Sequence, residues 1–222
     1  FAFATLISTI IPFGITNITI KYFPAFRDEK TGHHGFLGFV LLFFFIGFVV
    51  SATGLWVFHD FIINQYRRQS PLVIYYYNYI FPFTFFLALV SVLTNYLIAL
   101  FRSTVPSYLN DVGVRLLYIV IILLYYFKIF TLQRFIGGYV SIYAIQALAL
   151  VVYLVIIDKP SLSIDWKFLK QQDYREMLSF GLLLSLATMA ALGLKTLDAV
   201  FLGKYKSLDF VGIYTIASFI PT

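Results

Sequence analysis

The sequence predicts an all-α fold, a polytopic integral membrane helix bundle. Of the 222 residues, 61% are hydrophobic and 12% are charged, which is about half the charged fraction of a soluble domain. The apolar residues also form long continuous runs, and a helix crosses the hydrocarbon layer with about 20 of them. Strands of a membrane barrel would be about half as long and would alternate in polarity, so we expect these runs to be helices.

Seven apolar runs are predicted to span the membrane, with short polar connections between them. They lie at residues 1–20, 36–58, 72–101, 114–130, 135–157, 177–203 and 210–222. The third is longer than a bilayer requires, so we expect it to tilt or to project into water, with a kink at Pro82. Because the sequence begins and ends within apolar runs, we interpret it as an internal piece of a longer protein, with its last span truncated.

The charged residues favour some classes of partner over others. The formal net charge is +6, and the basic residues are spread over short loops without forming a stripe. This pattern favours lipid headgroups or an anionic substrate over nucleic acid. The absence of cysteine excludes disulfides, thiolate metal sites and a cysteine nucleophile. We predict no metal and no cofactor.

The distribution of Lys and Arg over alternate loops predicts the orientation. The set that carries nine of these residues consists of the loops at 21–35, 102–115 and 158–176. The set that carries six consists of the loops at 59–71, 128–134 and 203–208. Because cytoplasmic loops are enriched in Lys and Arg, the first set is predicted to be cytoplasmic.

Three spans place small and polar residues on one face when the sequence is projected at 100° per residue. On the sixth span the stripe consists of Gly181, Ser185, Thr188, Ala191, Lys195 and Asp198. On the third it consists of Thr84, Ala88, Ser91, Asn95 and Arg102. On the first it consists of Thr5, Thr9, Pro12, Thr16 and Thr19, with Asn17 at its flank. Each stripe alone is typical of helix packing, whereas the three together favour a polar cavity between helices.

Lys195 and Asp198 are opposite charges inside the sixth apolar run. A charge at mid-bilayer costs about 2.5–3.5 kcal/mol. One interpretation is a lysine that snorkels to the interface and pairs with the aspartate. Because the short side chain of Asp198 snorkels poorly, we favour a water-accessible cavity. There Lys195 would meet an anion, and Asp198 would hold Lys195 or exchange a proton.

Other polar residues allow two interpretations each. Arg102 and Arg115 bracket one turn, where they could anchor the helices at the interface or form a basic mouth for a phosphate-bearing substrate. His33 and His34 are predicted to be solvated loop residues. Motifs for ATP hydrolysis, zinc proteolysis, serine hydrolysis and metal-dependent glycosyl transfer are absent. An enzyme is therefore disfavoured.

Three stretches of the sequence resemble bacterial polysaccharide (O-antigen and capsule) flippases, in the superfamily that includes the MATE exporters. KTLDAVFLGKYKSLDFVGIYTIASFIP, which starts at Lys195, resembles the junction between their two lobes. ITIKYFPAFRDEKTGHHGFLGF resembles the exit of their second span. LFRSTVPSYLNDVGVRLLY resembles the turn after which their fifth span begins, here at Arg115.

The resemblance implies a MATE-like transporter of about 12–14 helices in two lobes. Residues 1–157 would form most of the N-terminal lobe, 158–176 the cytoplasmic connection, and 177–222 the start of the second lobe. Such proteins flip polyprenyl-diphosphate-linked oligosaccharides across the bacterial inner membrane by alternating access, driven by a proton or sodium gradient. The candidate residues of the cationic cavity are Lys195, Asp198, Arg102, Arg115, Asn95, Thr188 and Asn17.

Three other roles remain open at this point, and one of them is a purely structural membrane subunit, in which charge-neutral replacement of Lys195 and Asp198 would not affect transport. A multidrug exporter of the same superfamily would favour acidic residues in its cavity, because it binds cations. A membrane polysaccharide polymerase or glycosyltransferase would be expected to have a large external loop. The longest predicted connection is 158–176, and it is assigned to the cytoplasm.

Overall fold

The computed structural model describes residues 2–66, 71–205 and 208–217, which form helices and turns without a β-strand. The α-helices are α1 (Ala2–Ile10), α2 (Ile15–Phe26), α3 (Phe36–Val57), α4 (His59–Tyr66), α5 (Pro71–Tyr75), α6 (Ile80–Ala99), α7 (Thr104–Tyr108), α8 (Val114–Tyr126), α9 (Leu132–Ile157), α10 (Trp166–Gln171), α11 (Tyr174–Tyr205) and α12 (Leu208–Ala217). Short 3-10 turns cover Glu29–Thr31, His33–Gly35 and Tyr77–Tyr79, and a π-helical segment covers Leu109–Gly113.

Five segments of the described residues are long and apolar enough to cross a membrane. They are Ala4–Phe26, His33–Val57, Tyr77–Ala99, Thr104–Tyr126 and Leu132–Ile157. Each overlaps one of the first five predicted spans, which supports the predicted class of helical membrane protein. The sixth predicted span lies within α11, which has 32 residues. The seventh falls partly on α12 and partly outside the described residues.

Two predicted boundaries differ from the structure. α6 begins only at Ile80, after α5 and a 3-10 turn, so Pro82 lies in its first turn. A proline there interrupts no helical hydrogen bond, so it has no reason to kink the span. Residues 104–113, predicted as part of a loop, are helical and lead directly into α8. Hydropathy marks only the apolar part of a helix, so it misses a polar turn that precedes it.

The first spanning segment is broken near its middle. Residues 11–14 form a turn that separates α1 from α2. Pro12 has no N–H and cannot continue the helical hydrogen bonds. Phe13 and Gly14 have positive φ angles of 44° and 74°, which is the left-handed region. This segment therefore consists of two half-helices rather than one continuous helix.

α6 lies at the centre of the bundle, where it packs against α1, α2, α3 and α9. Its Tyr96 meets Phe23 of α2 edge to face, with 5.2 Å between the ring centroids. Phe23 meets Phe36 of α3 in the same way, at 5.7 Å. All three rings are fully buried or nearly so. Aromatic pairs of this kind contribute about 0.5–1.5 kcal/mol beyond the burial of their surface, so they hold three helices together at one end of the bundle.

α8 lies at the edge of the bundle and packs mainly against α9. Val114 is the only buried residue of this helix, all of which the structure describes. Its outward surface includes Leu116, Ile119, Val120, Ile122 and Leu123. Large aliphatic side chains on the free face of a spanning helix are typical of contact with lipid tails.

Candidate functional site

Close backbone contact joins the broken span to α11. A Cβ atom added to Gly14 would lie 1.8 Å from the carbonyl oxygen of Gly181. A Cβ atom on Gly181 would in turn lie 2.5 Å from Cδ1 of Ile18. Ser185, one turn further along α11, is also buried. This part of the predicted stripe on the sixth span therefore packs helices together and does not line a cavity.

A glycine of α3 also lies close to the turn at residues 11–14. A Cβ atom on Gly47 of α3 would lie 1.8 Å from the carbonyl oxygen of Ile11. The turn at residues 11–14 is thus contacted by glycine backbone of both α3 and α11. Such approach allows Cα–H···O contacts, which are weak singly and favour tight crossing of helices.

Thr188, Ala191 and Asp198 of the α11 stripe are exposed. The Thr188 hydroxyl donates to the carbonyl oxygen of Leu184 at 2.7 Å, within its own helix. The Tyr214 hydroxyl of α12 donates to Oδ2 of Asp198 at 2.7 Å. The side chain of Lys195 lies outside the described residues, so its predicted pairing with Asp198 stays a prediction.

The other predicted site residues are dispersed over the bundle. Asn95 is partly buried, and its amide donates to the Ser91 carbonyl at 2.8 Å. Asn17 is partly buried on α2, and Arg115 is exposed at the start of α8. Arg102 follows the end of α6 and lines a cavity that contains none of the other predicted residues.

This cavity has a volume of about 410 Å³ and lies where α2, α6 and α9 end. Its lining consists of Arg27, Glu29, His33, Leu100, Phe101, Arg102, Ile157 and Asp158. Arg27 lies over the ring of Phe101, 5.2 Å from its centroid. We call it the clasp cavity, after the contact between His33 and Asp158, both of which line it.

His33 and Asp158 form a buried pair in the clasp cavity. Nε2 of His33 lies 2.8 Å from Oδ1 of Asp158, and the two side chains are 1% and 9% exposed. Nδ1 of His33 accepts a hydrogen bond from the backbone N–H of Asp28 at 3.1 Å. The hydrogen bonds therefore assign the proton of a neutral imidazole to Nε2, which donates to the carboxylate. Oδ2 of Asp158 and the hydroxyl of Tyr96 are also buried, without a hydrogen bond of regular geometry.

A left-handed turn directs His33 inward. Gly32, His33, His34 and Gly35 have successive φ angles of 61°, 59°, 52° and 69°. A non-glycine residue in this conformation costs of order 1 kcal/mol or more, so neighbouring contacts must hold the turn. The segment after α9 provides them: Ser161 N–H donates to Gly32 O at 3.3 Å, and Asp165 N–H donates to His34 O at 3.1 Å.

His34 makes the second contact between the turn and this segment. Its ring stacks on Phe168 with centroids 3.8 Å apart and an angle of 2° between the planes. Its imidazole lies 3.4 Å from the carboxylate of Asp165 and 3.9 Å from that of Asp28. We call the contacts of His33 with Asp158 and of His34 with Asp165 and Phe168 the histidine clasp.

Local hydrogen bonds lower the pKa values of the two carboxylates beside His34. The backbone N–H of Lys30 and the hydroxyl of Thr31 hold the pKa of Asp28 below its usual value. The backbone N–H of Phe168, with smaller contributions that include His34, holds the pKa of Asp165 below its usual value. Both carboxylates are therefore ionised at neutral pH.

The prediction that His33 is solvated is wrong, because His33 is buried. His34 is partly exposed, with one face of its ring stacked on Phe168. Sequence reasoning also missed Asp158 and Tyr96. The available signal was the pair of histidines between Gly32 and Gly35, because glycines on both sides permit a left-handed turn.

No known protein family, curated protein or solved structure matches this chain. The class that the fold itself defines is a helical membrane protein. In the part of the chain that the structure describes, no three His, Cys, Asp or Glu side chains are grouped to hold a metal ion.

Proposed function

We propose that the protein is a membrane transporter that flips a lipid-linked oligosaccharide, carried on polyprenyl diphosphate, across the bacterial inner membrane. The observation that best supports a transporter is the break at residues 11–14 inside a spanning segment. Non-helical backbone at membrane depth is tolerated only where protein covers it or where it lines a cavity. Discontinuous helices of this kind are typical of transporters, where they form substrate and ion sites.

The position of α11 supports the same proposal. This helix packs against both halves of the broken segment and continues beyond that contact with exposed polar residues, Thr188 and Asp198. At 32 residues it is about 48 Å long, which exceeds the thickness of the hydrocarbon layer. A face that packs against the break and then continues with exposed polar side chains is suitable for a path along which a polar group moves.

The chemistry of the substrate assigns roles to the predicted residues. The diphosphate is anionic, and Lys195, Arg102 and Arg115 supply cations for it. The hydroxyl groups of the sugars would bind the amides of Asn17 and Asn95 and the hydroxyl of Thr188. In this proposal two lobes rock around a central substrate cavity, and α11 is the first helix of the second lobe. A proton or sodium ion drives the cycle.

The test is transport by the full-length protein in a bacterium that lacks its own flippase. Surface polysaccharide and the lipid-linked oligosaccharide left on the cytoplasmic leaflet are measured. Lys195→Ala is compared with Lys128→Ala, an exposed lysine between α8 and α9. We expect restored polysaccharide with the unchanged protein, loss with Lys195→Ala at normal abundance in the membrane, and no change with Lys128→Ala.

The same experiment distinguishes the alternatives. Failure of the unchanged protein to restore polysaccharide, together with export of cationic dyes, would identify a multidrug exporter. Extension of the glycan without flipping would identify a polymerase. Full activity of Lys195→Ala would show that this lysine is not part of the substrate path, while the proposal of a transporter would stand.

A further inference from the structure

A groove that the proposed transport path does not use lies at the opposite end of the bundle from the clasp cavity. It has a volume of about 710 Å³ and lies where α6 and α9 begin. Its lining consists of Tyr79, Phe130, Thr131, Gln133, Arg134, Gly137 and Gly138. We call it the Arg134 groove. Because two spanning segments start at Tyr77 and Leu132, the groove lies at the level where lipid headgroups meet the hydrocarbon layer.

The charge of the groove favours an anion. Among the described residues that line it, Arg134 is the only charged one, and none is a carboxylate. The guanidinium is exposed, and no described residue forms an ion pair with it within 4.0 Å. An unpaired guanidinium offers a planar fork of N–H donors that matches the oxygens of a phosphate.

The remaining lining fits the parts of a lipid that adjoin its phosphate. Thr131 and Gln133 are exposed and polar, whereas Tyr79 and Phe130 are partly buried rings. Gly137 and Gly138 leave part of the wall without side chains. A Cβ atom on Gly137 would lie 3.8 Å from Cε1 of Tyr79, which is an ordinary contact. The groove is therefore open beside Gly137 because this residue has no side chain.

We propose that the Arg134 groove binds the phosphate headgroup of an anionic membrane phospholipid. The groove lies at headgroup depth, has a single positive charge, and has aromatic walls that can contact the glycerol and the first methylene groups. Basic pockets between spanning helices bind anionic headgroups in this way. The proposal does not depend on transport, because the groove and the path along α11 share no residue.

The test measures lipid retention by the purified full-length protein in detergent, using native mass spectrometry. Dioleoyl phosphatidylglycerol is compared with dioleoyl phosphatidylcholine. We expect phosphatidylglycerol to be retained by the unchanged protein and its apparent affinity to fall roughly fivefold or more in Arg134→Gln, since one basic residue is lost near the headgroup. Gly137→Leu, which fills the groove without removing charge, should lower retention as well.

Two controls make the result decisive. Arg175→Gln removes an exposed arginine at the start of α11 and should leave retention unchanged. An excess of inorganic phosphate should fail to displace phosphatidylglycerol, because free phosphate lacks the acyl contacts. Displacement by phosphate alone would identify a site for the free ion and overturn the lipid assignment. Equal retention by the unchanged protein and Arg134→Gln, with both variants monodisperse, would overturn the proposal entirely.

Discussion

The two ends of the α6–α9 pair differ in the charged residues that line their cavities. The two helices run in the same direction, since Tyr79 lies beside Gly137 where they begin and Arg102 and Asp158 line one cavity after they end. The clasp cavity contains two arginines, a histidine and two carboxylates. The Arg134 groove contains one arginine and no carboxylate.

Helix direction explains this difference. The C-terminal end of a helix carries a partial negative charge, equivalent to about half an elementary charge, and its N-terminal end carries the opposite. Arg27 and Arg102 therefore lie where α2 and α6 end, and their charges also offset the buried Asp158. The other end already carries partial positive charge, so its free arginine favours an external anion. The arginines at one end therefore share a cavity with carboxylates and helix C-termini, whereas no described carboxylate lines the groove of the arginine at the other end.

The largest expected effect is a loss of stability, and it compares a glycine substitution in the clasp with one at the Arg134 groove. Gly35→Val in the clasp places a Cβ atom 1.9 Å from the Ser163 carbonyl oxygen at a φ of +69°. We expect a loss of roughly 4 kcal/mol or more, because a buried clash adds to the strain of a β-branched residue in the left-handed region. Gly137→Ala at the groove meets only an ordinary contact and should not destabilise the protein. Folded yield by fluorescence-detected size-exclusion chromatography measures both, and similar yields would contradict this comparison.

A smaller effect tests the buried charge of the clasp. His33→Ala removes the donor that Asp158 uses and leaves a buried carboxylate, so we expect a loss of about 3 kcal/mol in stability. His34→Ala, in the same left-handed turn, removes a stacked and partly exposed ring and should cost about 1 kcal/mol. Thermal unfolding in detergent measures both variants. Adding Asp158→Asn to His33→Ala should recover part of the loss, whereas no recovery would show that the carboxylate charge is not the cause.

The smallest effect concerns pH. The pKa values of Asp28 and Asp165 lie below their usual range because hydrogen bonds favour the ionised form. Their contribution to stability is therefore complete above the unfolded value of about 4 and is lost as pH falls through the lower folded values. We expect a slight fall in the unfolding temperature below about pH 4 that is smaller in Asp28→Asn combined with Asp165→Asn. Equal pH profiles would show that ionisation of Asp28 and Asp165 does not stabilise the protein.

Much of the fold could be predicted because hydropathy is a local property. A run of apolar residues such as 36–58 must be helical in lipid whatever its neighbours are, since its backbone can satisfy its hydrogen bonds only within itself. The break was within reach of the same reasoning, because Pro12 and Gly14 lie together in the first apolar run. The interpretation of Pro12 as part of a polar stripe concealed that signal.

The candidate site was less accessible to prediction. A helical projection places Gly181, Ser185 and Thr188 on one face, but it does not say which neighbour covers that face. The structure covers Gly181 and Ser185 and exposes Thr188, so one stripe serves packing in one half and remains open in the other. His33 and Asp158 are separated by 125 positions, and no local pattern relates them.

The sequence by itself determined the class of this protein, a bundle of apolar helices with short connections, because the transfer of each segment into lipid depends on its own composition. Only the tertiary structure decided which charges are buried. His33 becomes a partner of Asp158 because a left-handed turn, two glycines and the segment after α9 meet at one end of the bundle. Arg134 is exposed at the other end, where none of the residues that the structure describes forms an ion pair with it. Burial depends on contacts between distant parts of the chain, and those contacts exist only once the helices have assembled.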